Sequence, residues 1–343
     1  MINFLCAFCA FCGYFFFSLA GNPPHGMTSH WKVGYNSLMR VLRRVVESAI
    51  VVWAVATAAF FALRLGRVDP IASLAAQGLA TEEQAAEMRR ELGLDRPLTE
   101  QYAEYVSGVL HGDLGRSLFS GQAVGEMIAG GAAFTIPLAA TAWLLSVAAG
   151  IGLGAVASRR GRAPGDAVSA FLAAGASTPV AWSGLVILWL SVPLASAVTA
   201  GWARELLRLL LPAMALSLTI GCSIGRAAET SIRESRGEAF YLAMRAHGFP
   251  RGLRADWSLL RAAIAPVLAL AGMEAAFLLG GTMITEVVFA RPGLGRMLVD
   301  AVLRGDYPVV QSLLALAALG YTAFGMLADA VAAAMDPRVR EGP

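Results

Sequence analysis

One lysine, Lys32, stands in a chain of 343 residues, and that scarcity removes a class of function. A phosphate-binding P-loop needs G-x-x-x-x-G-K-[ST], with its lysine on the phosphates. The only lysine lies in an N-terminal extension outside any such motif, so the chain has no nucleotide engine by that route. Cysteine is nearly as rare. Cys6, Cys9 and Cys12 recur every third residue, and Cys222 sits alone in an apolar run. An iron–sulfur set of that spacing wants a further cysteine followed by proline. None follows, so the three read as small residues along an apolar helix, and no disulfide framework is implied. The histidines His25, His30, His111 and His247 fall outside the apolar runs and are not paired at metal-ligand spacing. An intramembrane serine protease would lack its base. Neither a metal site, a bound cofactor nor a catalytic residue is expected.

Charge is the third shortage. Only 15% of residues are charged, against about a quarter in soluble domains, and the mean hydropathy is +0.61. No charge occurs in 127–158, 167–203, 209–225 or 307–328. A helical span needs about 20 apolar residues, and the alternation of a membrane β-barrel is missing. The expected class is therefore all-α and polytopic. Six spans fit: Val45–Leu63, Ala133–Ala157, Ala167–Ala197, Leu209–Gly225, Ala262–Glu286 and Val309–Ala328. The third is long enough to raise the alternative of two. Treated as one, it leaves 15 arginines of the main body on one side and 11 on the other. Basic residues gather in cytoplasmic loops, so one span is kept there and both ends of the main body are expected inside.

What precedes and separates the spans divides the chain further. Residues 1–38 are apolar at first but lack a basic leader. They read as an extended start or appendage, with a seventh helix as the alternative. Residues 39–65 form a basic tail and the first span, 66–131 a segment outside the membrane, 132–336 the core with five spans, and 337–343 a tail. The 66–131 segment carries ten acids against five arginines. Thr81-Glu-Glu-Gln84 reads as a capping box for a helix ending near Gly93. Thr99 is expected to cap a second helix with Tyr102, Tyr105, Val106, Val109 and Leu110 on one face. Such a piece is too small for a catalytic domain of its own. It reads equally as a lid on the membrane helices and as a platform for an external partner.

Inside the spans, charge is costly and usually paired or functional. Glu274, midway along the fifth, is a candidate pathway residue, and an interhelix hydrogen bond is the alternative. Gly280, Gly281 and Thr282 are candidates for close packing and for the pathway lining. Between the fourth and fifth spans, 226–261 holds seven arginines. There the window Gly237–Gly248 is patterned as a short helix. Phe240, Ala243, Met244 and His247 share one face, Gly248 suits a left-handed end, and Pro250 stops it. That helix would lie on anionic headgroups or fit a groove on a partner.

Several stretches resemble one family along nearly the whole main body, from about Met39 to Arg340. They are "LGLDRPLTEQY" (92–102), "GDLGRS" (112–117), "STPVAWSGL" (177–185), "YLAMRAHGFP" (241–250), "EVVFARPGLGRMLVDAVLRGDYPVVQ" (286–311) and "DPRVR" (336–340). They are similar to the first inner-membrane permease of bacterial ABC importers for dipeptides, oligopeptides and nickel. Departures are Ala181 for phenylalanine, His247 for lysine, and Trp257-Ser258 for arginine-histidine. The resemblance implies a six-span type I ABC importer permease in the bacterial inner membrane, bearing the EAA motif. Its segment near 238–248 would be the coupling helix, docked in a cleft of an ATPase subunit. Phe240, Ala243 and Met244 would give the apolar contact, Glu238 and Arg245 the orientation, His247 the lysine position and Gly248 a sharp exit. Implied partners are a second permease, cytoplasmic ATP-binding subunits that hold the ATP, an extracytoplasmic solute-binding protein and membrane lipid, with no nucleic acid. The solute expected first is a peptide. Against this stand an ion- or proton-coupled carrier working alone, which would want buried charges and inverted repeats, and a scaffold without transport.

Overall fold

Two helices that touch backbone to backbone organise the bundle. A computed structural model describes residues 29–65, 71, 81–91, 93, 95–159, 163–197, 200–247 and 253–335. Their helices are α1 (Ser29–Leu65), α2 (Glu82–Glu91), α3 (Leu98–Leu110), α4 (Val124–Ala157), α5 (Ala163–Ala176), α6 (Val180–Ala197), α7 (Gly201–Gly237), α8 (Ala239–Ala246), α9 (Leu253–Val288), α10 (Leu294–Arg304) and α11 (Tyr307–Met335). The central pair is α4 and α7. A Cβ on Gly150 would lie 2.7 Å from the Gly221 carbonyl, and one on Gly154 2.5 Å from that of Gly225. Small residues are what let helices pack this closely where lipid supplies no hydrophobic drive. Around the contact, Leu138, Ala142, Leu216, Ile224, Val267 and Leu278 form the main buried cluster. Trp143 donates its indole N–H to the Ala271 carbonyl at 2.9 Å, tying α4 to α9.

The chain is an all-α polytopic membrane protein. Among the described residues, α1 from Leu42, α4, α7 and α11 to Ala328 are each long and apolar enough to cross a bilayer. Two further spans are bent pairs. Ala163–Ala176 and Val180–Val192 meet at 108°, and Pro266–Leu278 and Gly280–Val288 at 51°. The single long third span read from the sequence is thus a sharp elbow at Ser177-Thr178-Pro179. Proline disfavours a helical residue before it, and α7 holds the corner. Thr219 Oγ1 donates to the Thr178 carbonyl at 3.1 Å, and Ser183 Oγ to that of Ala215 at 3.1 Å. The pair starts beside the end of α4, where Gly165 abuts the Arg159 carbonyl, and leads to α7 at the opposite end. It therefore counts as one crossing, and with the α9 pair taken the same way there are up to six among the described residues.

The segment before α4 packs onto this frame. The capping box forms as expected: Thr81 N–H donates to Gln84 Oε1 (2.9 Å) and Gln84 N–H to Thr81 Oγ1 (3.3 Å). Thr99 does not cap α3. The helix starts at Leu98, two residues before the Glu100 start that such a cap implies, with Pro97 at the N-cap and no side-chain cap. Only part of the expected apolar face is covered, since Leu110 is 80% exposed. Tyr102 and Tyr105 meet Phe60 at ring-centroid distances of 5.2 and 5.6 Å, and Thr57 and Tyr102 share a hydrogen bond of 2.7 Å. Arg64 lies 3.6 Å over the Phe60 ring and donates to Gln101 Oε1 at 2.7 Å. The start and end of the chain fall partly outside this description. Residues 29–38 are helical and continuous with the first span, while residues 1–28 and the 336–343 tail lie outside the described residues.

Candidate coupling helix and polar groove

At one end of the bundle, α7 stops at Gly237 and the chain turns through Glu238, whose backbone is extended (φ −66°, ψ 144°). Eight residues of α8 follow, one turn shorter than the 237–248 window. Gly237 completes α7 instead of opening α8. The junction is held by the Tyr241 N–H donating to the Glu238 carbonyl at 3.1 Å, and the far end by His247 N–H to Ala243 at 3.0 Å. Glu238, Ala243 and His247 are exposed. Phe240, Met244 and Arg245 lie on α8 with side chains outside the described residues, as does all of Gly248. Tyr241, given no role in the sequence reading, is the inward residue. It packs on the cluster of Ile232 and Ala263, so it fastens α8 to α7 and α9. Its position between Phe240 and Leu242, off the face chosen for docking, is the signal that marks it.

The end of α7 that carries α8 is braced. Arg236 donates to the Ser158 carbonyl at 2.5 Å and to its hydroxyl at 3.2 Å, joining the ends of α7 and α4. Glu229, buried, accepts from Ser169 Oγ at 3.0 Å and from Arg233 at 3.2 Å. A buried carboxylate with several donors is tolerated where a lone one is not. Further along α7, Ser223, Arg226, Thr230 and Glu234 recur at helical spacing. With Ala176 and Pro266 they line an open groove of about 480 Å³. At its edge Ser223 Oγ donates to Glu274 Oε1 at 2.9 Å, so Glu274 has the interhelix hydrogen bond weighed for it. Gly281 packs against Leu216, with 3.0 Å to a built Cβ; Gly280 has open space beside it. Thr282 is fully buried. These three are therefore not a shared surface with Glu274: one is open, one is a helix contact and one is core.

The opposite end is closed by the chain itself. α9 finishes in a Schellman turn, Arg291 N–H donating to the Glu286 carbonyl (2.8 Å) and Ala290 N–H to that of Val287 (3.3 Å). Glu286, fully buried, then reaches the start of α10: Oε2 accepts from Gly295 N–H (2.7 Å) and Arg296 N–H (3.1 Å), and Oε1 from Thr135 Oγ1 (2.6 Å). A carboxylate over free helix N–H groups is favourable for both hydrogen bonding and dipole. Asp306, past the end of α10, accepts from Ser117 Oγ (2.5 Å) and Leu118 N–H (3.2 Å). Arg291 also donates to the Arg208 carbonyl at the start of α7. The sequence reading took Glu286 as the last residue of a span. Its partner Thr135 lies 151 positions away, beyond what local pattern reveals.

A chain whose exposed short helix hangs between two bilayer-length helices, with a polar groove above it, matches known proteins throughout. Residues 146–341 match the family described as binding-protein-dependent transport system inner membrane component, and 38–126 match its N-terminal counterpart. The chain belongs to that family. Among its relatives is a probable peptide ABC transporter permease protein of Sinorhizobium fredii, 34% identical over 309 residues, covering 88% of this chain and 98% of the relative. A dipeptide transport system permease protein of Escherichia coli K12 is 31% identical, with 79% and 90% covered. A glutathione transport system permease protein of Salmonella typhi is 33% identical, with 88% and 98% covered. The chain is thus an inner-membrane permease component of the dipeptide and oligopeptide family of ABC importers.

Proposed function

We propose that this permease forms half of the translocation pathway of an ATP-driven importer for short peptides, and that the 238–248 segment is its coupling helix. The observation that carries the reading is the setting of α8. It joins α7 to α9, it is pinned inward through Tyr241, and it leaves Ala243 and His247 exposed. A displacement imposed on α8 reaches both helices that flank the polar groove. Binding energy from a partner then shifts the bundle between two states, and no chemistry in this chain is required. Relatives named for peptides, a dipeptide and glutathione support a peptide cargo.

The partners of this reading are a second permease, cytoplasmic ATP-binding subunits that hold the nucleotide, and an extracytoplasmic solute-binding protein. Arginine distribution supports a cytoplasmic α8 end, with both ends of the main body on that side. Phe240, Ala243 and Met244 supply the apolar contact, Glu238, Arg245 and His247 its orientation, and Gly248 the exit of the chain. Glu274 with Ser223 lines the pathway edge. A test follows from Gly248→Trp. Membrane insertion is expected to survive, while co-purification of the ATP-binding subunits and ATP-dependent uptake are lost. Uptake at the wild-type rate in that variant refutes the docking role. Uptake that persists without the ATP-binding subunits refutes the importer.

A further inference from the structure

At the end of the bundle away from α8, a cavity of about 490 Å³ opens between the start of α4, the 117–120 loop and α10. Phe119, Met127, Phe134 and Met297 give it apolar walls. Its charges come from Arg296, Asp300 and Arg304, successive turns of one α10 face. Arg296 approaches Asp300 at 3.7 Å. Arg304 is exposed, and its guanidinium has no partner among the described residues. Asp306 also lines the cavity, its carboxylate held in place by Ser117 and Leu118. Two adjacent glycines differ here. A Cβ on Gly131 would strike Leu294 and Met297 at 2.9 Å, whereas one on Gly130 meets nothing within 4 Å. Gly130 leaves the cavity open where any other residue would begin to fill it.

Volume, walls and charges agree on one kind of occupant. Small-molecule sites commonly span a few hundred to about 1,000 Å³, mostly apolar with a few polar anchors. Asp300 and Arg304 are one helical turn apart, about 6 Å along the axis. The ammonium and carboxylate of an extended dipeptide are separated by about 6–7 Å. We propose that this cavity holds a short zwitterionic peptide on its way into the pathway. Arg304 takes the carboxylate, Asp300 the ammonium, and the aromatic and methionine walls take the side chains. The proposal rests on the importer reading and adds the residues that meet the cargo first.

The test uses the assembled importer in proteoliposomes with radiolabelled dialanine and its C-terminal amide. Gly130→Phe starts from a position where a Cβ has open space and puts bulk at the cavity wall, and uptake of dialanine is expected to fall at least tenfold at unchanged abundance in the membrane. Arg304→Glu is expected to raise KM for dialanine at least tenfold with kcat within about twofold, and to erase any preference over the amide. Arg304→Lys keeps the charge and is expected to restore KM to within about threefold of wild type. Wild-type KM in both Gly130→Phe and Arg304→Glu overturns the site alone. Failure of the wild-type importer to move dialanine with ATP overturns the peptide reading and the site together.

Discussion

The two ends of α9 are built on opposite terms. At the α10 end the buried carboxylates are satisfied within the chain: Glu286 accepts from three donors, Asp306 from two, and Arg291 reaches back to α7. At the α8 end, a half-buried tyrosine is the inward anchor among the described side chains, and the described outer residues are exposed. Eight residues of helix are too few to be stable alone in water, so α8 depends on its neighbours. The difference separates an end whose buried carboxylates are satisfied within the chain from one whose described outer residues are left exposed. Under the coupling role proposed for α8, a firm joint at the far end of α9 would keep a displacement from being lost at that turn.

Removing the centre of the closed joint sharpens this comparison most. Glu286→Ala leaves two backbone N–H groups and the Thr135 hydroxyl buried without their acceptor. Each such loss costs about 1–3 kcal/mol, so a total of about 3 kcal/mol or more is expected. Thermal unfolding of the detergent-solubilised protein, followed by tryptophan fluorescence, checks it. A midpoint within 1 °C of wild type would deny the joint its importance.

A smaller effect of opposite sign is expected a few residues further along. Ala290 sits at φ 53° in the left-handed position of the Schellman turn, where Gly305 occupies the matching place after α10 at φ 78°. Glycine adopts that conformation without the cost borne by a side chain. Ala290→Gly is expected to raise stability by about 0.5–1 kcal/mol, measured in the same unfolding assay.

The smallest effect concerns α3. Burial, then the neighbouring Tyr102, push the Tyr105 phenol above its ordinary value of 10.0, while Arg64 pulls the other way. The folded chain thus holds that proton more tightly than the unfolded chain. Stability from this source is intact below about 10 and is lost as pH climbs towards the raised folded value. Its hydroxyl is buried without a partner, so Tyr105→Phe is expected to fold normally and to flatten the alkaline decline. Unfolding midpoints between pH 8 and 11 compare the two.

Much of the architecture was legible in the residues. Long charge-free runs mark the crossings because hydrocarbon tolerates little else, and the capping box at Thr81 is a purely local device. The elbow at Thr178-Pro179 was not read as one, since both arms are equally apolar and composition cannot show direction. The proline and the polar Ser177-Thr178 were its only trace. The motif at 286–311 marks this stretch without revealing α10, although Arg296, Asp300 and Arg304 repeat at four-residue spacing. Glu286 and Tyr241 escaped because their roles come from contacts distant in sequence. Glu274 was found, and its partner Ser223 was not, because a serine in a span carries no signal until a neighbouring helix meets it.

The claim that α8 is clamped by an ATP-binding partner is tested most directly by a single cysteine at Ala243 in a background where Cys6, Cys9, Cys12 and Cys222 are all replaced by serine. A maleimide too polar to cross membranes is added to inverted vesicles with and without the ATP-binding subunits. The account predicts that labelling at position 243 falls at least tenfold when those subunits are present, while a cysteine at Ser120 stays inaccessible from that side in both. Equal labelling of position 243 in the two preparations would contradict it.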